Sequence, residues 1–194
     1  MAQLLGETTD ANNYSRQMNK VKEGYNRCWN GYAYRHPEYN DCTDDRVQAL
    51  AVVSGIAEQD KYPYIIDLFK KQFYASPYME KYVMEALFVM GEGKYAMERM
   101  QKRFAPMVNH PFYTTLFEGW DIGPNGFGGG TVNHAWSGGP LIVIARYVCG
   151  IEPLDAAYKT FRIAPDDTYL HQAAITIPTI CLLYTSPSPR DPKT

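Results

Sequence analysis

The sequence predicts a mainly α-helical protein that is followed by the start of a small β-domain. Between about residues 12 and 104, apolar side chains recur at spacings of three and four, which is the helical period. After Gly150 the pattern changes to strand-like alternation. Because short loops join the helical segments, we expect stacked antiparallel helix pairs. No short exact repeat occurs, which argues against a tetratricopeptide-type solenoid.

Apolar stripes predict six helices in chain order. Their positions are Tyr14, Met18, Val21 and Tyr25; Val47, Leu50, Ala51 and Ser54; Tyr62, Ile65, Ile66, Phe69 and Phe73; Met79, Val83, Ala86, Leu87 and Met90; Met97, Met100 and Phe104; and residues 141–148. Thr43 or Asp44 suits the N-cap of the second helix, and Ser76-Pro77 suits the start of the fourth. Gly150 is expected to end the sixth. The methionines of the stripes are expected to fill the core.

Two strands are predicted near the C-terminus, over residues 158–163 and 173–177, with a Pro-Asp-Asp turn between them. Two strands make a poor independent unit, so we expect them to begin a larger β-domain. The predicted organisation is therefore a helical domain over 1–150, the first strands of a β-domain over 151–180, and a separate tail over 181–194.

Composition limits the classes of function. The 194 residues suffice for one ordinary domain or for part of a larger one. A net charge of -2 gives no electrostatic case for binding nucleic acid or an anionic membrane. No apolar run approaches the length of a membrane helix. The 4 cysteines lack metal-ligand or CxxC spacing, which argues against a zinc site or a disulfide scaffold.

Aromatic composition and one short stretch point toward carbohydrate chemistry. The 16 Tyr and 3 Trp combine apolar faces with polar tips, although tyrosines packed under loops would give the same count. Within residues 114–140, Glu118 lies between two aromatics, and His134 and Trp136 follow a glycine-rich stretch. A carboxylate, an imidazole and aromatic planes can hold a sugar and hydrolyse its linkage. Most glycoside hydrolysis uses two carboxylates, so Glu118 would need an acid partner.

Other polar clusters have simpler explanations. Asp44 and Asp45 precede a helix, where negative charge is favourable without any function; Arg46 directly after them makes a polar cluster able to bind sugar hydroxyls, and both interpretations stay open. Glu80 lies in a first helical turn, where an acid is expected, so a structural role is favoured. The glycine-rich stretch lacks a following Lys-Ser/Thr, and the histidines lack metal-pair spacing. These residues require no metal or cofactor.

Three segments, TTLFEGWD, GTVNHAWSGGPL and GIEPLDAAYKTFRIAPD, resemble the C-terminal half of the catalytic region of bacterial α-L-rhamnosidases, glycoside hydrolase family 78. DDRVQALAVVSGIA and SPYMEKYVMEALFVMG resemble barrel helices of the same family, and the similarity runs from about residue 5 to 179. The resemblance implies part of an (α/α)6 six-hairpin barrel followed by the start of a β-sandwich. It also implies hydrolysis of rhamnosides with inversion.

The resemblance also implies residue roles. Glu118 is the expected general base, and the expected substrate-binding residues are His134, Trp120, Trp136, Asp45 and Arg46. Phe117 replaces the usual Trp and keeps an aromatic wall, and Ala156-Ala157 stands where Pro-Gly is common. The family's general acid belongs to an upstream segment that has no match here. We therefore expect a fragment of the parent enzyme, without hydrolytic activity of its own.

Two alternatives follow from the same residues. The chain could belong to another six-hairpin glycosidase, of the debranching type, or to a non-catalytic carbohydrate-binding barrel. The upstream acidic motif would distinguish a rhamnosidase from a glycosidase of the debranching type. Sugar binding that survives the loss of Glu118 would indicate a non-catalytic carbohydrate-binding barrel.

The last residues depart from the pattern before them. Residues 181–191, CLLYTSPSPRD, resemble the in-frame translation of a transposase sequencing adapter. A disordered tail rich in serine and proline would account for the composition but not for this match. We expect the natural sequence to end near Ile180 and the tail to be non-native.

Overall fold

The structure is a computed structural model, and it describes residues 1–121, 130–166, 170 and 172–179, with the backbone of 183–186. It divides into two compact units, Met1–Tyr74 and Ala75–Thr194. Most of the glycine-rich stretch, together with His171 and Cys181, lies outside the described residues. The predicted helical character is confirmed. None of the described helices is both long and apolar enough to cross a membrane.

The first unit contains three helices, α1 (Thr8–Asn26), α2 (Asp45–Val53) and α3 (Tyr62–Lys71), where the first three stripes predicted them. Asp44 is the N-cap of α2, because its side chain accepts a hydrogen bond from Arg46 N at 2.7 Å. Helix α1 contributes no buried residue. Its apolar stripe is therefore helical in period without being part of the core of this unit.

A buried glutamine organises the core of the first unit. Gln48 of α2 is fully buried; its Oε1 accepts from Tyr34 N at 2.8 Å, and its Nε2 donates to Tyr34 O at 2.8 Å. Both backbone groups of Tyr34 are thereby satisfied away from water. The Tyr34 ring lies 5.1 Å from the ring of Trp29, and Ile65 and Phe69 of α3 are also fully buried.

The second unit is built on α4 (Pro77–Val89) and α5 (Gly93–Val108), followed by α6 (Gly139–Val143), which continues as a π-helical turn over Ile144–Val148. Ser76 caps α4 by accepting from Met79 N at 3.3 Å, as predicted. The core confirms a filling role for two of the predicted methionines, Met97 and Met100, whereas the same prediction is wrong for Met18, which is 64% exposed. The core contains Met84, Met97, Met100, Phe104, Met107, Phe117, Val143 and Val148.

Gly150 ends the last helix, and the structure adds a second reason for glycine there. Its φ of +67° is left-handed, and a Cβ at this position would lie 1.9 Å from Ala164 O. The chain returns at that point because Ala164 N donates to Gly150 O at 2.9 Å. A side chain would therefore push apart the helix end and the strands that follow it.

Among the residues that the structure describes, four short strands follow in two separate antiparallel pairs. Strand β1 (Ile151–Pro153) pairs with β2 (Phe161–Ile163), with Ile151 opposite Ile163. Strand β3 (Ile175–Pro178) pairs with β4 (Leu183–Ser186). The predicted strands correspond to β2 and β3, which the structure places in different sheets, and β1 was not predicted. Strand β4 belongs to the tail over 181–194. Its pairing with β3 does not test whether the tail is non-native, so the resemblance of the tail to an adapter stays a prediction.

Replacing Ala157 with glycine is expected to stabilise the second unit. Ala157 has φ 57° and ψ 26°, a left-handed conformation that a Cβ makes unfavourable. Glycine removes that strain at some cost in unfolded-state entropy, so we expect a gain of about 0.5–1 kcal/mol in the free energy of unfolding. Urea denaturation measures it. Ala156→Gly is the matched control and should lose stability, because Ala156 does not have a positive φ. Equal losses for both variants would contradict the prediction.

Candidate active site

Two backbone hydrogen bonds bring Glu118 and His134 to the same place. Glu118 N donates to Thr131 O at 2.9 Å, and His134 N donates to Leu116 O at 2.8 Å. The Thr115 hydroxyl adds a third link by donating to Val132 O. The two short segments therefore run antiparallel, and they hold the predicted carboxylate and imidazole on adjacent backbones.

The Glu118 carboxylate is held without being buried. Its Oε2 accepts from Thr131 N at 3.1 Å and lies 3.4 Å from Thr131 Oγ1. The same oxygen lies 3.7 Å from His134 Nδ1, and the two side chains are 21% and 34% exposed. A backbone N–H fixes the orientation of the carboxylate, while solvent still reaches it. A carboxylate that is oriented and accessible can accept a proton from a water molecule.

Thr131 is a member of the site that was not singled out from the sequence. Its hydroxyl lies 3.1 Å from His134 Nδ1 as well as near Glu118. An ionised carboxylate only accepts, so both contacts are satisfied when Thr131 donates to Glu118 and accepts from His134 Nδ1–H. A neutral His134 then has Nε2 as a hydrogen-bond acceptor. The available signal was the position of Thr131 within the GTVNH segment, three residues before the histidine.

Trp136 completes the group. Its indole Nε1 donates to Glu118 O at 3.3 Å, and its ring centroid lies 4.3 Å from that of His134. Trp136 is 36% exposed, so part of the residue is accessible to a ligand. Next to it, the buried Ser137 hydroxyl donates to Phe117 O at 2.5 Å. Both carbonyls beside the candidate base are thus tied to the segment that carries the histidine.

The structure corrects the role expected for Phe117. Only 2% of its surface is exposed, and its ring packs edge-on against His110 and Tyr113. Phe117 is therefore part of the core beneath the site. It does not form an exposed aromatic wall, because alternate residues of this extended segment point to opposite sides, and Glu118 takes the outward one.

The Trp120 side chain contacts α5 and the residues just before α4. Its indole Nε1 donates to Ala75 O at 2.7 Å, its ring packs edge-on against Phe104, and the Arg103 guanidinium lies 4.1 Å from the ring centroid. Arg103 also donates to Ala75 O at 3.0 Å. These contacts fasten the Glu118 segment to α5 and to the start of α4. A part of Trp120 is nevertheless accessible, so its predicted contact with substrate stays a prediction.

Beneath Trp120 lies a buried ion triad. Glu80 is fully buried and accepts from Arg99 Nε at 2.5 Å and from Arg99 Nη2 at 3.1 Å. The Glu80 carboxylate also forms an ion pair with Arg103 through Oε2. The structural role that the sequence favoured for Glu80 is thus supported by more than its place in a first helical turn: the carboxylate ties α4 to α5 and orients the arginine that contacts Trp120.

Asp45 and Arg46 lie in the first unit, and their predicted contact with substrate stays a prediction. Asp45 is fully buried. Arg46 directs its guanidinium to Asp44, with Nε at 2.9 and 2.8 Å from the two carboxylate oxygens. Burial would raise the pKa of Asp44, but the side-chain and backbone hydrogen bonds from Arg46 hold that pKa below its ordinary value. Helix capping is the role that these contacts describe.

A cavity of about 440 Å³ adjoins this cap and was not predicted. Three tyrosines, Tyr25, Tyr34 and Tyr39, contribute to its lining together with Arg35 and Asp44. The guanidinium of Arg35 donates to Tyr39 O at 2.8 Å. Within the ranges that the structure describes, no group of three or more His, Cys, Asp or Glu side chains could hold a metal ion.

Comparisons with known proteins bear on the fold. No protein-family model matches the sequence, and no curated protein matches it. The structure is similar to a crystal structure of a GH78 family rhamnosidase from Bacillus sp. GL1, with a TM-score of 0.77 and 21% sequence identity. The match covers 93% of this chain and 21% of the rhamnosidase, so the chain spans about a fifth of the length of that protein. The chain therefore has the fold of a segment of a glycoside hydrolase.

Proposed function

We propose that this chain is part of a glycoside hydrolase that releases terminal rhamnose from glycans or glycosides with inversion of configuration. One observation carries the proposal. The Glu118 carboxylate is oriented by Thr131 N–H yet open to solvent, beside an imidazole and a partly exposed tryptophan. The fold likeness to a rhamnosidase and the motif resemblance support the choice of sugar.

Each group has a defined task in this proposal. Glu118 takes a proton from the water that attacks the anomeric carbon. A carboxylic acid elsewhere in the longer protein protonates the leaving oxygen, at roughly 6.5–9.5 Å from Glu118, since an inverting mechanism needs room for that water. His134 accepts a hydrogen bond from a sugar hydroxyl through Nε2, and Trp136 packs against the apolar face of the ring. Thr131 positions both Glu118 and His134.

The activity belongs to the longer protein in this proposal. This chain spans about a fifth of the rhamnosidase that it resembles in structure. General acid assistance is worth about 10²–10⁴-fold in rate, so a chain that supplies only the base should bind the sugar without appreciable turnover. Turnover of an aryl α-L-rhamnoside by the 194-residue chain, at the rate of a complete enzyme, would overturn this division of roles.

Binding of L-rhamnose to the chain tests the proposal directly. Saturation-transfer NMR should detect L-rhamnose, and methyl α-L-rhamnoside should displace it, whereas D-mannose should not. His134→Ala is expected to weaken binding by about threefold to tenfold, because it removes one hydrogen bond and one ring contact. His36→Ala in the first unit is the matched control and should leave binding unchanged. Absence of L-rhamnose binding, or equal effects of the two histidine variants, would count against the proposed function.

A further inference from the structure

A row of aromatic rings continues from the candidate site onto helix α4. The Trp136 ring, which contacts His134 on one side, lies 5.3 Å from the Tyr78 ring at an interplanar angle of 32°. Tyr78 in turn lies 5.9 Å from Tyr82. These centroid separations are those of rings in contact, so the rings form one continuous strip. The strip starts at the wall of the candidate sugar site.

The helix fixes the direction in which these tyrosines point. Tyr78 and Tyr82 are one turn apart and therefore share a face of α4. The opposite face carries Glu80, Val83 and Leu87, which are fully buried. The ion triad of Glu80 and the packing of the apolar residues prevent rotation of the helix. Tyr78 is consequently held outward, with 39% of its surface exposed.

The exposure leaves part of the Tyr78 ring accessible to a ligand. An apolar ring that is two-fifths open to water contributes little to the core of its own unit. The two hydroxyls lie 3.4 Å apart and can share a hydrogen bond, which orders the rings relative to each other. Lys81 Nζ lies 4.5 Å from the Tyr82 ring centroid and pairs with Glu85 at 3.2 Å, so the far end of the strip is also ordered.

The chemistry of the strip selects a ligand class. Tyrosine and tryptophan faces bind apolar ring surfaces, while the phenol hydroxyls bind polar substituents at the edge. Sugar rings and aryl groups have this combination of an apolar face and polar edges. When the terminal sugar of a substrate lies beside Glu118 and His134, the rest of the substrate is the group to which that sugar is linked. The strip runs from His134 through Trp136 to Tyr78.

We propose that Tyr78 and Tyr82 form the subsite for the leaving group, an aryl ring or a second sugar attached to the terminal rhamnose. This inference rests on the proposed function and extends it from the terminal sugar to the rest of the substrate. Nothing in the subsite contributes to proton transfer. Its contribution is to hold the ring next to the scissile bond, and it favours substrates with a planar or sugar-like group over those with a small one.

The test compares two ligands on the 194-residue chain, phenyl α-L-rhamnoside and methyl α-L-rhamnoside. Phenyl rhamnoside is expected to bind about threefold to tenfold more tightly, because it adds one ring contact. In Tyr78→Ala the ratio of the two affinities should fall to about one. Tyr82→Ala keeps the contact between Tyr78 and Trp136, so it should lower the same ratio by a smaller amount. Tyr78→Phe keeps the ring and should keep the ratio.

Tyr64→Ala is the matched control, since Tyr64 is a tyrosine of the first unit with 48% of its surface exposed. It should preserve the wild-type ratio, and circular dichroism should confirm that every variant is folded. An unchanged ratio in both Tyr78→Ala and Tyr82→Ala, or equal binding of the two ligands by the wild type, would overturn the subsite alone. Failure of methyl rhamnoside to bind at all would instead overturn the proposed function, and the subsite with it.

Discussion

Replacing Glu118 with glutamine, in a longer protein that carries this sequence, is expected to lower the hydrolysis of aryl α-L-rhamnosides by about 10²–10⁴-fold. The amide has nearly the shape of the carboxylate, and its oxygen can still accept from Thr131 N, which lies 3.1 Å from Oε2 in the structure. It cannot take a proton from water at neutral pH. Binding of rhamnose should therefore survive the substitution while the chemical step fails.

Initial rates with 4-nitrophenyl α-L-rhamnoside measure this effect, and NMR of the first-formed anomer tests inversion. Glu98→Gln is the matched control, because Glu98 is an exposed carboxylate on α5. It should retain the wild-type rate. Glu118→Gln with a rate close to the wild-type value would remove Glu118 from the role of base. Binding that persists in an intact protein without hydrolysis of any glycoside would favour the barrel that only binds carbohydrate.

The substitution Glu80→Ala is expected to lower the free energy of unfolding of the second unit by about 3–5 kcal/mol. Arg99 has a fully buried side chain, and the substitution removes a carboxylate that pairs with it. Arg103, whose side chain is 10% exposed, loses the same partner. Breaking a buried salt-bridge network is among the most destabilising changes available to a domain.

Guanidinium denaturation followed by tryptophan fluorescence measures this loss, since Arg103 contacts Trp120 directly. Asp67→Ala is the control for an exposed pair. Asp67 and Lys71 lie 2.7 Å apart at side-chain exposures of 45% and 62%, so its loss should cost no more than about 1 kcal/mol. A cost for Glu80→Ala as small as that of the exposed pair would show that the triad is not a structural anchor.

The candidate site was accessible from the sequence because its parts are close along the chain. Glu118 and His134 belong to one motif, and short backbone ladders bring such segments together. Trp120 and Trp136 look equivalent in that motif, and the sequence assigned both to the walls of the site. The structure separates them: Trp136 is open beside His134, whereas Trp120 donates to Ala75 O, 45 positions earlier in the chain.

The fold, like the candidate site, could be predicted from the sequence only in part. Helical period was sufficient to locate the helices, and α1 shows its limit, because the period predicts a helix whether or not the apolar stripe is packed. Tyr14, Met18 and Val21 are 62%, 64% and 60% exposed. Strand β1 was missed because three residues ending in proline are too short to display alternation. Its place is set by pairing with β2, in which Ile163 lies opposite Ile151 and Phe161 lies opposite Pro153.

The sequence by itself determined the helices, the cap at Ser76, and the pairing of a carboxylate with an imidazole in one motif. Each of these depends on residues within a few positions of one another, where propensity and spacing act. Only the tertiary structure decided that Glu80 is a buried anchor and that Tyr78 is exposed beside Trp136. Both outcomes depend on which distant groups share a solvent-excluded or solvent-exposed environment, and burial is a property of packing that no local pattern contains.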